Sequence, residues 1–250
     1  MKNKHLAGLY ASDKIAQYYK RAKRGKKDAT GGIDAEVLEY LRMILPKCLK
    51  GKDAIEIGCG DARWSKNLYA RGARNVVGLD SSSDMIKLAK AEERRTRSRR
   101  LSIHKGDMRD LPFPDESFDL ALSSFSIMYF RENELRHIVH EVARILRFGG
   151  SFYIATNIVY LREENSNAFE KLKNEIVPLQ LGFGDELMST ENAVQTMPQF
   201  KAAFETSRLN IQDEKCFAPV GIAIPQGYIY RDCFALGKAV FTLAKQTRVV

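Results

Sequence analysis

Cysteine and histidine are scarce in this chain. The four cysteines, Cys48, Cys59, Cys216 and Cys233, form no Cys-x-x-Cys pair, and four in 250 residues do not make a disulfide framework. The histidines are His5, His104, His137 and His140. His137 and His140 lie three apart beside Glu141, but no further His or Cys lies near enough in sequence to complete a zinc set. They read as a solvated helix face, and no metal is expected. No run approaches the ~18 apolar residues of a membrane span, and no apolar segment follows Met1-Lys2-Asn3-Lys4-His5 as in a secretory signal. No low-complexity linker and no internal repeat divides the chain. These absences point to a reduced, cytoplasmic protein with no membrane span, folded as a single domain over residues 1–250.

The composition, 44% hydrophobic and 28% charged, suits a chain with a sizeable core. A net charge of +9 raises the question of anionic partners. Its basic residues concentrate in two runs, Lys20-Arg21-Ala22-Lys23-Arg24-Gly25-Lys26-Lys27 and Arg94-Arg95-Thr96-Arg97-Ser98-Arg99-Arg100. Such runs can grip nucleic-acid phosphates. Cations also complement the C-terminal end of a helix, and the second run ends a helical segment. Nucleic acid is therefore the less favoured partner.

Residues 1–50 read as largely helical. Val37, Leu38, Leu41, Ile44 and Leu45 share one face, and Pro46 ends or kinks that helix near Leu45. Strands and helices then alternate. Strands are expected at 53–57, 75–79, 101–105, 118–123 and 151–156, and helices at 64–71, 83–94 and 132–146. Gly149-Gly150 reads as the stop of the last helix. This alternation implies βαβ units and a mostly parallel sheet with helices on both faces. Beyond Asn157 it fails: 158–206 looks largely helical, followed by strand candidates at 209–217 and 234–243.

One strand runs directly into a glycine turn, Ala54-Ile55-Glu56-Ile57-Gly58-Cys59-Gly60-Asp61-Ala62. Glycine lets the backbone approach a ligand closely, and the following helix presents free N–H groups. Cys59 is a small residue in that turn and has no local support as a nucleophile. The next strand ends in Val76-Val77-Gly78-Leu79-Asp80, one βαβ step later. A carboxylate at that tip can accept hydrogen bonds from both ribose hydroxyls of an adenosyl group. It could also cap the following helix, but Ser81, Ser82 and Ser83 would serve that end equally well.

A dinucleotide site wants a third glycine where Arg63 stands, to pack a helix against a pyrophosphate. Glu56, two residues before the first glycine, suits an ammonium group and gains nothing from a pyrophosphate. S-adenosylmethionine carries an amino-acid end, a ribose and an adenine but no phosphate, so the residues favour it over NAD.

In these motifs the chain resembles the class I S-adenosylmethionine-dependent methyltransferases, in the group of the ubiquinone and menaquinone biosynthesis enzymes. The resemblance covers roughly residues 52–156. Glu56-Ile57-Gly58-Cys59-Gly60 is similar to the glycine motif and Asp80 to the ribose-binding acid. Ser81 and Met85 match positions lining the adenine. Gly106-Asp107-Met108 matches the turn that contacts it. Leu111-Pro112-Phe113-Pro114-Asp115-Glu116-Ser117-Phe118-Asp119 resembles the loop into the fourth strand, and Glu141, Arg144 and residues 146–150 the approach to the fifth. Ser123 and Ser124, at the end of the fourth strand, count with these as cofactor-binding candidates. The resemblance also implies an N-terminal tyrosine closing over the cofactor, for which Tyr19, beside Tyr18, is the candidate.

Two departures stand out. Ala62 occupies the place of the family's frequent third glycine. The segment Ser123-Ser124-Phe125-Ser126-Ile127-Met128-Tyr129 carries no histidine where related sequences often have one or two. Tyr129 remains as a weak catalytic candidate. The proline-rich signature of base-amine methyltransferases is absent here too.

The expected fold is α/β: a Rossmann-like, seven-stranded, mostly parallel sheet whose last strand runs antiparallel, an implication of the resemblance. Within the single domain, 1–50 supplies N-terminal helices and lid, 51–157 the cofactor-binding core, 158–206 a helical substrate lid with Phe183, Leu187, Met188, Met197 and Phe200, and 207–250 the last two strands. The expected activity is S-adenosylmethionine-dependent methyl transfer to a small-molecule acceptor. RNA methylation and non-catalytic S-adenosylmethionine binding are the alternatives.

Overall fold

Five consecutive buried residues, Asp53–Ile57, form strand β1 at the centre of the sheet. A strand buried throughout belongs between two helical layers, and its near-continuous apolar sequence is the sign of that position. The computed structural model describes residues 33–161, 176–183, 186–193, 196–220 and 234–246. Tyr18, Tyr19 and the basic run at 20–27 lie outside them.

Strand β1 pairs in parallel with β2 (Asn75–Asp80) on one side and β4 (Phe118–Ser124) on the other; Ile55 stands opposite both Val77 and Ala121. Strand β3 (Leu101–Lys105) continues beyond β2, and β5 (Leu146–Leu161) beyond β4. The complete order is β3-β2-β1-β4-β5-β9-β8, with β8 at Leu209–Val220 and β9 at Phe234–Lys245. Strand β9 runs antiparallel to both its neighbours. This is the seven-stranded Rossmann-like sheet expected, with the final strand reversed.

Helices α1 (Ile33–Ile44), α2 (Arg63–Ala70) and α3 (Ser83–Thr96) alternate with the first strands; α4 (Glu132–Ile145) and α5 (Met197–Glu205) come later. They divide the apolar core into two layers. Val37, Leu41, Trp64, Leu68 and Ala89 pack with one face of the sheet, and Leu135, Ile138, Val142, Phe200 and Phe204 with the other. Helix α1 ends at Ile44, where Pro46 requires.

Two expectations are corrected. The segment 158–206 is not largely helical in its described part: β6 (Ile176–Phe183) and β7 (Glu186–Ala193) pair as an antiparallel hairpin, a separate two-stranded sheet, and only α5 is helical. Short apolar runs such as Ile176-Val177-Pro178-Leu179 carry no period that tells strand from helix. Nor does Gly149-Gly150 stop α4. The chain leaves α4 at Ile145 and enters β5 at once, and the glycines lie within the strand, where the pairing of β4 and β5 shifts register between Phe118 and Leu120. Gly149 takes φ +73°, and a Cβ on Gly150 would lie 2.8 Å from the Arg147 carbonyl. They serve the irregularity of the strand rather than the end of the helix.

At the amino ends of the strands, charge holds the elements together. Arg147 donates to Asp119 at 2.7 Å and to Asp53 at 3.1 Å, and Arg74 also pairs with Asp53. The Arg74 guanidinium, with Asn75 and Arg147, holds the Asp53 carboxyl down at about 2, against the opposing effect of burial. The carboxyl ends of the strands, by contrast, gather loops and glycines.

Candidate functional site

The chain leaving β1 turns through two glycines in the left-handed region, Gly58 at φ +68° and Gly60 at φ +51°. A Cβ on Gly58 would fall 2.2 Å from the Cβ of Ser126, so glycine is required there by space as well as by backbone angle. At Gly60 a Cβ would meet nothing within 4 Å: the backbone faces open space. Ala62 also lies in the left-handed region, at φ 64°, the position where related sequences often carry glycine. Its methyl is fully buried, so the local strain is held by the packing of α2.

Asp80 closes the turn from the neighbouring strand. Its carboxylate accepts from the Gly60 amide at 2.8 Å with one oxygen and from the Ser82 amide at 2.8 Å with the other. Burial raises its carboxyl above the ordinary range, opposed by backbone N–H groups of Ser82, Gly60 and Ser81. The capping of α3 falls to Ser82, whose hydroxyl accepts from the Met85 amide at 3.3 Å. Each Asp80 oxygen keeps a further lone pair for a hydroxyl donor.

Glu56 is 2% exposed and accepts from both the amide and the hydroxyl of Ser65 at 2.5 Å. It satisfies the N-terminus of α2 from a strand away. Burial pushes its carboxyl up to about 8, further raised by Asp61 and Asp80 and opposed by the Ser65 bonds. Cys59 is buried too, with its thiol pushed well up by burial, which leaves it protonated and no nucleophile.

Around these groups the other sequence candidates take different places. Met85 and Met108 are buried, and the Met108 Cε lies 3.2 Å from the Cβ position of Gly58. Gly106 donates to the Asp80 carbonyl at 3.0 Å, and Ser81 is exposed at the head of α3. Asp107 is engaged by its neighbour: burial disfavours its charge, but the Arg109 guanidinium outweighs this and holds the carboxyl below its usual range. Ser123 is fully buried and shares a 2.6 Å hydrogen bond with Ser126, while Ser124 is half-buried. Tyr129 lies on a short 3-10 turn, Ile127–Tyr129, half-buried against the core. Tyr19 lies outside the described residues.

Three neighbours of this site carried no sequence motif. Ser126 donates to the Ile57 carbonyl at 3.0 Å and so lies directly over Gly58. Phe125, beside it, adopts φ 52°, unusual for a bulky residue, and its amide bonds the Ala155 carbonyl at 2.7 Å. Lys238 places its ammonium 5.0 Å from the Phe125 ring. Its one sequence signal is a lysine amid Phe234-Ala235-Leu236-Gly237 and Ala239-Val240-Phe241.

The glycine turn, the strand-tip acid and the sheet order together describe a known arrangement, and residues 54–150 match the family model described as "Methyltransferase domain". The chain carries a class I S-adenosylmethionine-dependent methyltransferase domain. Over 123 residues, 45% of the chain, it is 32% identical to the eEF1A lysine and N-terminal methyltransferase of Homo sapiens, of which it spans 18%. To the malonyl-[acyl-carrier protein] O-methyltransferase of Pectobacterium atrosepticum it is 30% identical over 167 residues, 67% of the chain and 62% of that protein. The chain thus spans less than two thirds of the length of either relative. A solved geranyl diphosphate methyltransferase in complex with S-adenosylmethionine shares the fold with a TM-score of 0.60 at 16% identity, over 86% of this chain and 91% of that one.

The two basic surfaces of the methyltransferase domain separate clearly from its strand tips. The run at 94–100 ends α3, and the Arg100 carbonyl accepts from the Val76 amide at 2.7 Å, near the start of β2. It therefore lies toward the amino ends of the strands, opposite the glycine turn. His137 and His140 are exposed on α4. Among the described residues, no helix is long and apolar enough to cross a membrane.

Proposed function

We propose that this protein binds S-adenosylmethionine at the glycine turn and transfers its methyl group to a small-molecule acceptor. The carrying observation is the Asp80 carboxylate, buried at the tip of β2 and fixed by two backbone amides beside the open face of Gly60. A fixed acceptor needs no reorganisation when ribose hydroxyls arrive. Backbone at Gly58, Cys59 and Gly60 allows close approach of the amino-acid end, and Glu56 supplies negative charge for its ammonium. Met85 and Met108 offer apolar walls for an adenine, with Ser81, Gly106 and Asp107 at its rim, Ser123 and Ser124 toward the acceptor side, and Tyr19 as closing residue.

S-adenosylmethionine supplies a methyl group already activated by its sulfonium. What remains for the chain is to align an acceptor and keep water away. No residue is assigned as an obligatory base; Tyr129 is the candidate nearest the acceptor side. The lid is the β6–β7 hairpin, whose second strand packs on the turn at Ile127–Tyr129. Its sequence, with Ile176, Val177, Leu179, Leu181 and Phe183, favours covering a small molecule over gripping a phosphate backbone. The relatives' names include a protein acceptor and a malonyl-[acyl-carrier protein].

Calorimetry with S-adenosylhomocysteine, followed by transfer of labelled methyl from S-adenosylmethionine to a metabolite extract, tests the reading. Binding with label in a small molecule is expected. Label in RNA or protein would move the acceptor class, binding without transfer would favour a non-catalytic binder, and no binding would end the proposal.

A further inference from the structure

Strand β9 carries two buried lysines, Lys238 at 3% and Lys245 at 9% exposure. Burying an ammonium is unfavourable unless something recovers its hydration, so each calls for a reason. Lys245 has a structural one. It donates to the Leu146 carbonyl at 2.6 Å and stands 4.5 Å from the Phe148 ring, fastening the start of β5. Because β9 is antiparallel to β5, Lys238 lies at the other end, seven residues or roughly 23 Å away. That end is the carboxyl edge of the parallel strands, where open α/β sheets bind their ligands.

The surroundings of Lys238 belong to the site. It stands opposite Asn157 of β5 and Phe217 of β8, so the three share one face. Its ammonium lies 5.0 Å from the ring of Phe125, whose left-handed backbone turns the chain at the end of β4. The next residue, Ser126, covers Gly58. Lys238 is therefore held beside the glycine turn on the side of β4 and β5, away from Asp80 and the adenosyl groups.

We propose that Lys238 recognises an anionic group, carboxylate or phosphate, on the methyl acceptor, with Phe125 holding the ammonium in place. This rests on the methyltransferase reading and adds the acceptor's charge. A buried ammonium is a strong donor to an oxyanion because little water competes for it. An aromatic face beneath it steadies its position without neutralising its charge. The acceptor is thereby selected by its charged end, and the apolar hairpin covers the remainder.

The test uses protein saturated with S-adenosylhomocysteine and two matched probe pairs, octanoate against octanamide and octyl phosphate against octanol, titrated by calorimetry. The wild type is expected to prefer the anion of at least one pair by on the order of tenfold. The pair that discriminates tells carboxylate from phosphate. Lys238→Met should bring that ratio close to one and leave S-adenosylhomocysteine affinity unchanged, and Lys238→Arg should keep the preference. Equal binding of charged and neutral probes by the wild type, or a preference that survives in Lys238→Met, overturns the proposal. Should Lys238→Met not fold, the Lys238 Cε resonance of the wild type, assigned through Lys238→Arg, decides: it shifts with the anion and not with its neutral partner, and a resonance indifferent to both overturns the assignment. Loss of S-adenosylhomocysteine binding by the wild type would instead strike the methyltransferase reading itself.

Discussion

The Asp80 carboxylate accepts the Gly60 amide at 2.8 Å, joining the tip of β2 to the turn that leaves β1. One side chain thus shapes the glycine turn and stands ready for a ribose. Replacing Asp80 with alanine removes both services. S-adenosylhomocysteine affinity should fall more than tenfold, since hydrogen bonds to a charged acceptor contribute roughly 1.5–3 kcal/mol each. Calorimetry on the folded variant measures this, and unchanged affinity would remove Asp80 from the site.

Gly58 presents a steric prediction. A Cβ there would overlap Ser126 at 2.2 Å, and the residue sits at φ +68°. Gly58→Ala should lower stability by about 2 kcal/mol or more, from left-handed strain together with displacement of Ser126. Denaturant melts check it. The double variant Gly58→Ala, Ser126→Gly should recover part of the loss, whereas no recovery would place the clash elsewhere.

Glu56 makes stability depend on pH. Burial raises its carboxyl in the folded state to about 8, from an ordinary value near 4.5. Between those values the folded chain holds a proton that the unfolded chain releases, so this contribution is full below pH ~4.5 and is lost as pH rises through about 8. Melts of wild type against Glu56→Gln should show a steeper fall for the wild type over that window. A cationic ammonium bound beside Glu56 should restore its ionised form. Binding of S-adenosylhomocysteine near pH 7 is thus expected to release protons, seen as a buffer-dependent heat of binding that Glu56→Gln lacks.

The basic run offers a negative control. Arg94, Arg95, Arg97, Arg99 and Arg100 lie toward the amino ends of the strands. Changing all five to serine should leave S-adenosylhomocysteine affinity within about twofold and spare methyl transfer, as expected for charges beyond a Debye length of about 10 Å from the site. A folded variant that binds cofactor but no longer transfers methyl would favour an RNA acceptor.

The core of the fold was legible because its signals are local. An apolar run into Gly58, an acid ending β2 and alternating apolar segments each follow from a few adjacent residues. The later part was not. The hairpin at Ile176–Ala193 is built from short apolar runs that fit either period, and its pairing joins residues that only the folded chain brings together. Gly149 and Gly150 were misread as a helix stop because glycine suits a strand irregularity equally well. At the site, Glu56 and Asp80 stood out by their spacing, but their tethers to Ser65 and Gly60 did not. Ser126 and Lys238 reach the glycine turn from β4 and β9, through contacts that no motif encodes.

The position of β9 has a consequence for biosynthesis. It fills the gap between β5 and β8, yet it is the last of the seven strands to leave the ribosome. Until Lys245 has emerged, one edge of β5 and all of β8 lack their partner, with backbone donors and acceptors open to any other extended chain. The nascent sheet can assemble β1 to β5 beforehand, but β8 can join only with β9. A stall or a nick between Val220 and Phe234 would therefore yield a half-closed sheet that is prone to aggregate, which makes this interval the vulnerable one during synthesis.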